Sequence, residues 1–330
     1  MANGADINWP DSVWQEINDA VVAEVGRVRT AQMVFPTTML DGDPTEVMND
    51  VIDIENNTIK EGQTKQIVEL YKTFELTATQ VSREAQLKTC KTLARMAAKM
   101  IALAEDRVIF HGNEPDPAAV AAAAAAAAAA EAARAGAEAA RAAAAAAVPS
   151  KLPGGVVAER RESAGKGLWG IAAEDTDPAR EEKGVPPIPV PLAPARGGPP
   201  RRVQWGEETF KAVTKGIASL TQKGQAPKFA LFLPVSAYAD TFAPPGDQSL
   251  VTTAERIKPL VEGGFVEAVS LWDKKGLLVA LAGDPTSIYV GREATAEFIK
   301  KEGSKYTFRV VERVQFVARD RRALVQLNFE

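Results

Sequence analysis

Few residues in this 330-residue chain are of a type that does acid–base, nucleophilic or metal chemistry near neutral pH. There is one histidine, His111, and one cysteine, Cys90. A single imidazole excludes a two-histidine metal site, and a single thiol excludes an intrachain disulfide framework or a cysteine-rich zinc site. The adjacent acids Glu105 and Asp106 fall in a helical pattern, where neighbours point to different faces, so they are not read as an acid–base pair. Lys166 stands in a Gly-Lys-Gly stretch without the full spacing of a phosphate loop. His111 reads as a helix-end residue and Cys90 as a small buried hydrophobe. The Arg-Arg pairs at 160–161, 201–202 and 321–322 are scattered and read as solvated surface. No catalytic group, metal or cofactor is expected from this inventory.

The elements around these residues look built for contact. Apolar residues make up 46% of the chain, enough for a real core, and a net charge of −4 gives no general reason to bind nucleic acid. The N-terminus has no basic stretch leading into an apolar run, and the longest apolar run is alanine-rich and interrupted by Glu131, Arg134, Glu138 and Arg141, so neither a signal peptide nor a membrane span is expected. Trp14, Ile17, Val21, Val25 and Val28 recur at helical spacing and predict a helix from about Pro10 to Val28, capped by Asn8 or Asp11. Residues Val51 to Thr79 read as two strands around Asn56-Asn57, with a polar tip carrying Lys60 and Lys65. Leu87, Cys90, Ala94, Ala97, Ile101, Ala104 and Val108 predict one helix over Ser82 to Phe110, about 40 Å long, with a small-residue seam.

Composition then shifts. Ala118 to Val148 is nearly all alanine, and a helix of about 45 Å is possible there. Asp175 to Pro200 reads as a proline-rich extended linker. Globular patterning resumes at Trp205, with a helix through Phe210, Val213, Ile217 and Leu220 and a buried strand at Lys228 to Pro234. Gly263-Gly264 is expected to stop a further helix. The strands EAVSLW, GLLVALA and SIYVG follow. Tyr306, Phe308 and Val310, then Val314 and Phe316, then Val325, Leu327 and Phe329 alternate and read as an antiparallel sheet with one buried face. Without a regular βαβ rhythm, the class is α+β.

Several stretches resemble the encapsulins, bacterial nanocompartment proteins. They are WPDSVWQEINDAVVAEVGRVRTAQMVF, IVELYKTFELTATQVS, MIALAEDRVIFHG, GKGLWGI and the run from PTSIYVG to LVQLNF. The resemblance covers roughly residues 8–112, 164–173 and 205–330, and the order of these blocks is more specific than any one of them. It implies the fold of tailed-phage major capsid proteins: an N-terminal helix and arm (1–50), an extended loop (51–80), a peripheral domain with a spine helix (81–112), an axial domain (mainly 205–295) and C-terminal strands returning to the peripheral domain (296–330). Residues 113–204, with a short ordered turn near 165–173, depart from that pattern and read as an insertion.

The resemblance implies a structural protein rather than an enzyme, a homo-oligomer that closes into an icosahedral shell. Its expected partner is a cargo protein with a C-terminal targeting peptide, bound by Val22, Val25, Val28, Ile288 and Val290. Asn56, Asn57, Lys60 and Lys65 are expected to contact a neighbouring subunit, and Pro244, Pro245 and Asp247 to line a pore. The expected setting is the bacterial cytoplasm, without membrane or nucleic-acid partners. The alternative is a phage or prophage capsid protein enclosing DNA, in a virion. The near-immediate entry into the first helix favours the nanocompartment.

Overall fold

The computed structural model describes residues 7–53, 58–60, 64–114, 152–174, 185–192, 205–243 and 251–330. The alanine-rich stretch at 118–148 lies outside them. So do Asn56, Asn57, Pro244, Pro245 and Asp247.

The chain opens with α1 (Asp11–Val28), whose Trp14, Ile17, Val21 and Val25 are buried as the spacing predicts. The expected side-chain cap is not made: Pro10 holds the N-cap position, and its fixed backbone suits the entry. Aromatic packing anchors this end instead. Trp9 stacks on Phe308 with ring centroids 5.6 Å apart and donates its indole N–H to the Val81 carbonyl at 2.8 Å.

After α1 come β1 (Thr37–Met39), β2 (Glu46–Val47), the hairpin β3 (Val51–Asp53) and β4 (Thr58–Lys60), then β5 (Lys65–Gln66) and β6 (Val68–Thr77). The single long helix expected from Ser82 is divided into α2 (Ala78–Ser82), α3 (Glu84–Leu87) and α4 (Thr89–His111). The reason is local. Lys88 adopts a left-handed backbone (φ 51°), and the buried Glu84 carboxylate accepts the Cys90 and Lys91 N–H groups at 2.8 and 3.1 Å. These are first-turn donors of α4, so Glu84 caps the spine from outside it. Leu87, expected in the seam, is exposed.

Beyond the spine come β7 (Val157–Glu159), α5 (Leu168–Glu174), β8 (Ile188–Val190), α6 (Glu207–Gln222), β9 (Phe229–Leu233), α7 (Val235–Phe242) and α8 (Thr253–Ile257). The chain ends with β10 (Gly264–Glu267), β11 (Lys275–Ala280), β12 (Thr286–Glu302), β13 (Lys305–Ala318) and β14 (Leu324–Phe329). Thr252 and Glu255 form a capping box at α8, and Gly264 opens a strand instead of ending a helix. Of EAVSLW, only Glu267 is in a strand.

Two five-stranded sheets result, ordered β1-β12-β13-β6-β7 and β10-β9-β11-β14-β8. Each is mixed: β1 is parallel to β12, β10 to β9 and β8 to β14. The expected antiparallel meander at the C-terminus is therefore corrected. β14 does not pair with β13 but crosses to the second sheet, beside β11. The expected boundary at 295/296 has no counterpart in the sheets, because β12 runs through it.

The proline-rich linker is also corrected in part. Val185, Ile188 and Val190 are buried, and β8 is an edge strand with Pro189 turned outward. An edge strand tolerates the missing N–H of proline. β7 likewise edges the first sheet, so the region between α4 and α6 supplies an outer strand to both sheets.

α1 and α4 lie against each other and cover one face of the first sheet, with Ile17, Val21, Ala94, Ile101, Val310 and Val314 in one core. That core continues to the second sheet, where Phe232 meets Phe110 and Phe35. A second core lies under α6, where Gly216 lets the helix approach Leu278, Ile188 and Val325. The opposite face of the first sheet carries a charge ladder. Glu297 bonds Arg309 (2.9 Å) and pairs with Arg292, and Arg309 reaches Glu69 (3.3 Å).

Candidate functional site

The residues expected to hold a targeting peptide are on or beneath α1. Val22 is 38% exposed and Val28 is half-buried, whereas Val25, Ile288 and Val290 are 1% exposed or less. These three are packed inside the chain, so of the five only Val22 and Val28 present surface. Val25 packs α1 onto the core, and Ile288 and Val290 pair with Thr37 and Met39 of β1. A side chain without accessible surface cannot touch a peptide unless the packing opens. Outward, α1 exposes Gln15, Asp19 and Arg27 along with Val22, Ala23 and Gly26, and no atom beyond the helix's own backbone and chain neighbours would meet a Cβ placed on Gly26.

Among the described residues the hairpin β3–β4 forms its own two-stranded sheet, with Val51 opposite Lys60 and Ile52 opposite Ile59. Its one described backbone tie to the rest of the chain runs from the Ile52 N–H to the Arg319 carbonyl at 3.0 Å. Ile59 is 67% exposed. Lys65, expected at the polar tip, belongs to the base: β5 pairs it with Val47, and its ammonium lies 4.8 Å from the centre of the Phe316 ring. Burial, and then Arg321, lower its pKa to about 8.

The residues considered for chemistry are held in structural roles. The His111 ring stacks on Trp272 with centroids 3.8 Å apart, and Nε2 accepts the Trp272 backbone N–H at 3.3 Å. Burial, then the nearby Arg107, lower its pKa to about 3, so it is neutral. Burial drives the Cys90 thiol far up, away from thiolate reactivity. Lys166 bridges to Gly112, where the end of α4 and the glycine-rich turn come so close that a Cβ on Gly167 would sit 2.3 Å from the His111 nitrogen. Among the described residues no group of three or more His, Cys, Asp or Glu is placed to hold a metal ion, and no helix is long and apolar enough to cross a membrane.

Glu105 and Asp106 are not an acid–base pair, but neither is solvated. Both are buried where α1 ends, together with Glu312 of β13 and Arg29. Glu312 did not stand out in the sequence. Its signal was a gap: in the alternation Tyr306, Phe308, Val310, Val314, Phe316, the core position between Val310 and Val314 is an acid.

Two mixed five-stranded sheets, a spine helix, an N-terminal helix laid on it and a separate two-stranded hairpin make up the fold. Residues 195–315 match the model of a family described as "Encapsulating protein for peroxidase". The virus-like particle from Pyrococcus furiosus is similar at 14% identity and a TM-score of 0.60, with 96% of this chain and 99% of that one covered. Mycobacterium phage Bobi (10% identity, 93% and 90% covered) and the capsid of Myoviridae phage XM1 (8%, 92% of each) both reach a TM-score of 0.50. No curated protein matches the sequence. The fold is thus that of phage capsids and virus-like particles. Within it, the chain resembles the encapsulins, as its sequence blocks indicated.

Proposed function

We propose that this chain assembles with copies of itself into a closed icosahedral compartment in the bacterial cytoplasm and encloses a cargo enzyme that carries a short targeting peptide. The observation that supports this reading is the match of residues 195–315 to an encapsulating-protein family, in a chain of which 96% is covered by its likeness to a virus-like particle. The hairpin β3–β4 reaches to a neighbouring subunit, which supplies the surface that its own chain leaves open around Ile59. A two-stranded ribbon is at best marginally stable alone, so such a partner would order it. The peptide lies along the outward face of α1, at Val22, Ala23 and Gly26, with half-buried Val28 at the end of the helix.

The test is expression of the chain alone and imaging by electron microscopy, followed by co-expression with a fluorescent protein carrying the C-terminal peptide of a candidate cargo enzyme. Closed, nucleic-acid-free particles that retain the tagged reporter are expected. Particles filled with DNA would establish the phage reading instead, and the absence of closed particles would overturn both.

A further inference from the structure

The junction between α1 and β1 is held by a buried cluster of ionisable groups. We propose that Glu105 and Glu312 share a single proton, and that this proton latches the exit of α1 to α4 and β13 and is given up as the solution turns alkaline. The latch lies within one chain, so it does not depend on the compartment reading.

Hydrogen bonding at the cluster is unequal. Asp106 is satisfied as a carboxylate: it accepts from the Thr30 backbone N–H (2.8 Å), the Thr30 hydroxyl (2.7 Å) and the Ala31 N–H (2.9 Å). Glu105 Oε1 accepts from Gln32 Nε2 at 2.5 Å, and Gln32 in turn accepts from Arg29. Among the described residues Glu105 Oε2 and both oxygens of Glu312 accept no N–H or O–H hydrogen bond, and the two carboxyls adjoin each other. Arg29 Nη2 lies 3.7 Å from Glu312 Oε1, near enough for charge attraction but too far for a hydrogen bond. Two facing carboxyls form a hydrogen bond only when one of them keeps its proton.

Charge leads to the same state. Glu105 and Glu312 have no exposed surface, and Asp106 is 1% and Arg29 8% exposed. The groups facing the pair are Arg29 from the α1 exit, Asp106 on α4 and Glu293 on β12. Arg29 is the one cation among these groups and offsets a single negative charge, so each proton lost from the pair adds a negative charge that nothing here balances. A second unpaired charge in a dry site is costly.

Burial first, and then the neighbouring acids, put Glu105 well above the usual carboxylate range and Glu312 at about 7, while Asp106 is raised to about 6. In the opened junction these groups meet water and titrate at ordinary values near 4. Opening therefore releases protons above that pH. The latch is complete in acid and weakens as pH rises, by about tenfold per pH unit for each proton released. The window opens near 4.5 and extends into alkali, because burial and the neighbouring acids raise the pair as a unit.

The test is amide hydrogen exchange of peptides covering Arg29 to Phe35, in the full-length protein as purified, from pH 5 to pH 9 and corrected for intrinsic rates. Protection in the wild-type protein is expected to fall with rising pH at about one decade per unit or more. Glu312→Gln and Glu105→Gln keep a hydrogen-bond donor without an ionisable proton, so each is expected to flatten the profile and retain protection at pH 9. Identical slopes in wild type and both variants, or wild-type protection that does not change with pH, would overturn the proposal. Should the variants fail to fold, infrared difference spectra of the wild type decide it. A protonated-carboxyl band that persists at pH 6 and disappears in alkali is expected, and its absence at pH 6 would overturn the latch.

Discussion

Val22 and Val25 are three residues apart on α1 and have opposite surroundings, one outward and one without exposed surface. Val22→Asp is expected to leave thermal stability within about 0.5 kcal/mol while lowering retention of a peptide-tagged reporter. Val25→Asp buries an unpaired charge and is expected to cost about 3 kcal/mol or more, seen as loss of soluble, folded protein. Equal reporter retention in Val22→Asp and wild type would remove α1's outer face as the docking site. His111 makes a second residue-scale prediction. It is held neutral to about pH 3, whereas the unfolded imidazole takes up a proton near 6.5. Its contribution to stability is thus fully present above 6.5 and is lost as pH falls toward 3. His111→Gln, which keeps an acceptor for the Trp272 N–H, is expected to flatten that acid limb in melting experiments. An unchanged acid limb would show that other groups set it. At this scale the sequence was informative about what is missing: one histidine and one cysteine were enough to set aside most metal and thiol chemistry. It could not rank the acids. Glu312 and Glu105 acquire their meaning only by facing each other, 207 positions apart in the numbering.

The spine helix shows how element boundaries escape a periodicity reading. The 3,4 pattern runs unbroken from Leu87, yet the helix starts at Thr89 because Lys88 is left-handed and Glu84 supplies the cap. Lys88→Gly tests this. In a continuous helix glycine would cost about 1 kcal/mol. At a left-handed position it relieves about 1 kcal/mol of backbone strain, offset by loss of the exposed Lys88–Glu16 pair. Unchanged or slightly raised thermal stability is expected, and a clear fall would contradict the break. The proline-rich segment carries the converse lesson. Proline signals an irregular linker, and here Val185, Ile188 and Val190 interleave with prolines so that an edge strand forms against β14. The apolar alternation was present in the sequence, but the receiving edge was not.

For the whole molecule, the hairpin β3–β4 stands apart from both five-stranded sheets, with Ile59 exposed. Ile59→Asp is expected to leave far-ultraviolet dichroism and melting of the subunit unchanged, within about 0.5 kcal/mol, and to sharply reduce particle yield by size exclusion and negative-stain imaging. Full particle yield would show that the hairpin is not an assembly contact. The sequence by itself determined the α+β class, the amphipathic face of α1, the small-residue seam of the spine and the shell-protein resemblance. These rest on local periodicity and on short blocks in a fixed order, which a single chain displays directly. Only the tertiary structure decided that β14 crosses to the second sheet, that the region after the spine edges both sheets, that Val25, Ile288 and Val290 are core, and that three acids converge on Arg29. Those facts depend on pairings between residues distant in sequence. Such pairings are fixed by the joint packing of two sheets and two helices, and no window along the chain contains them.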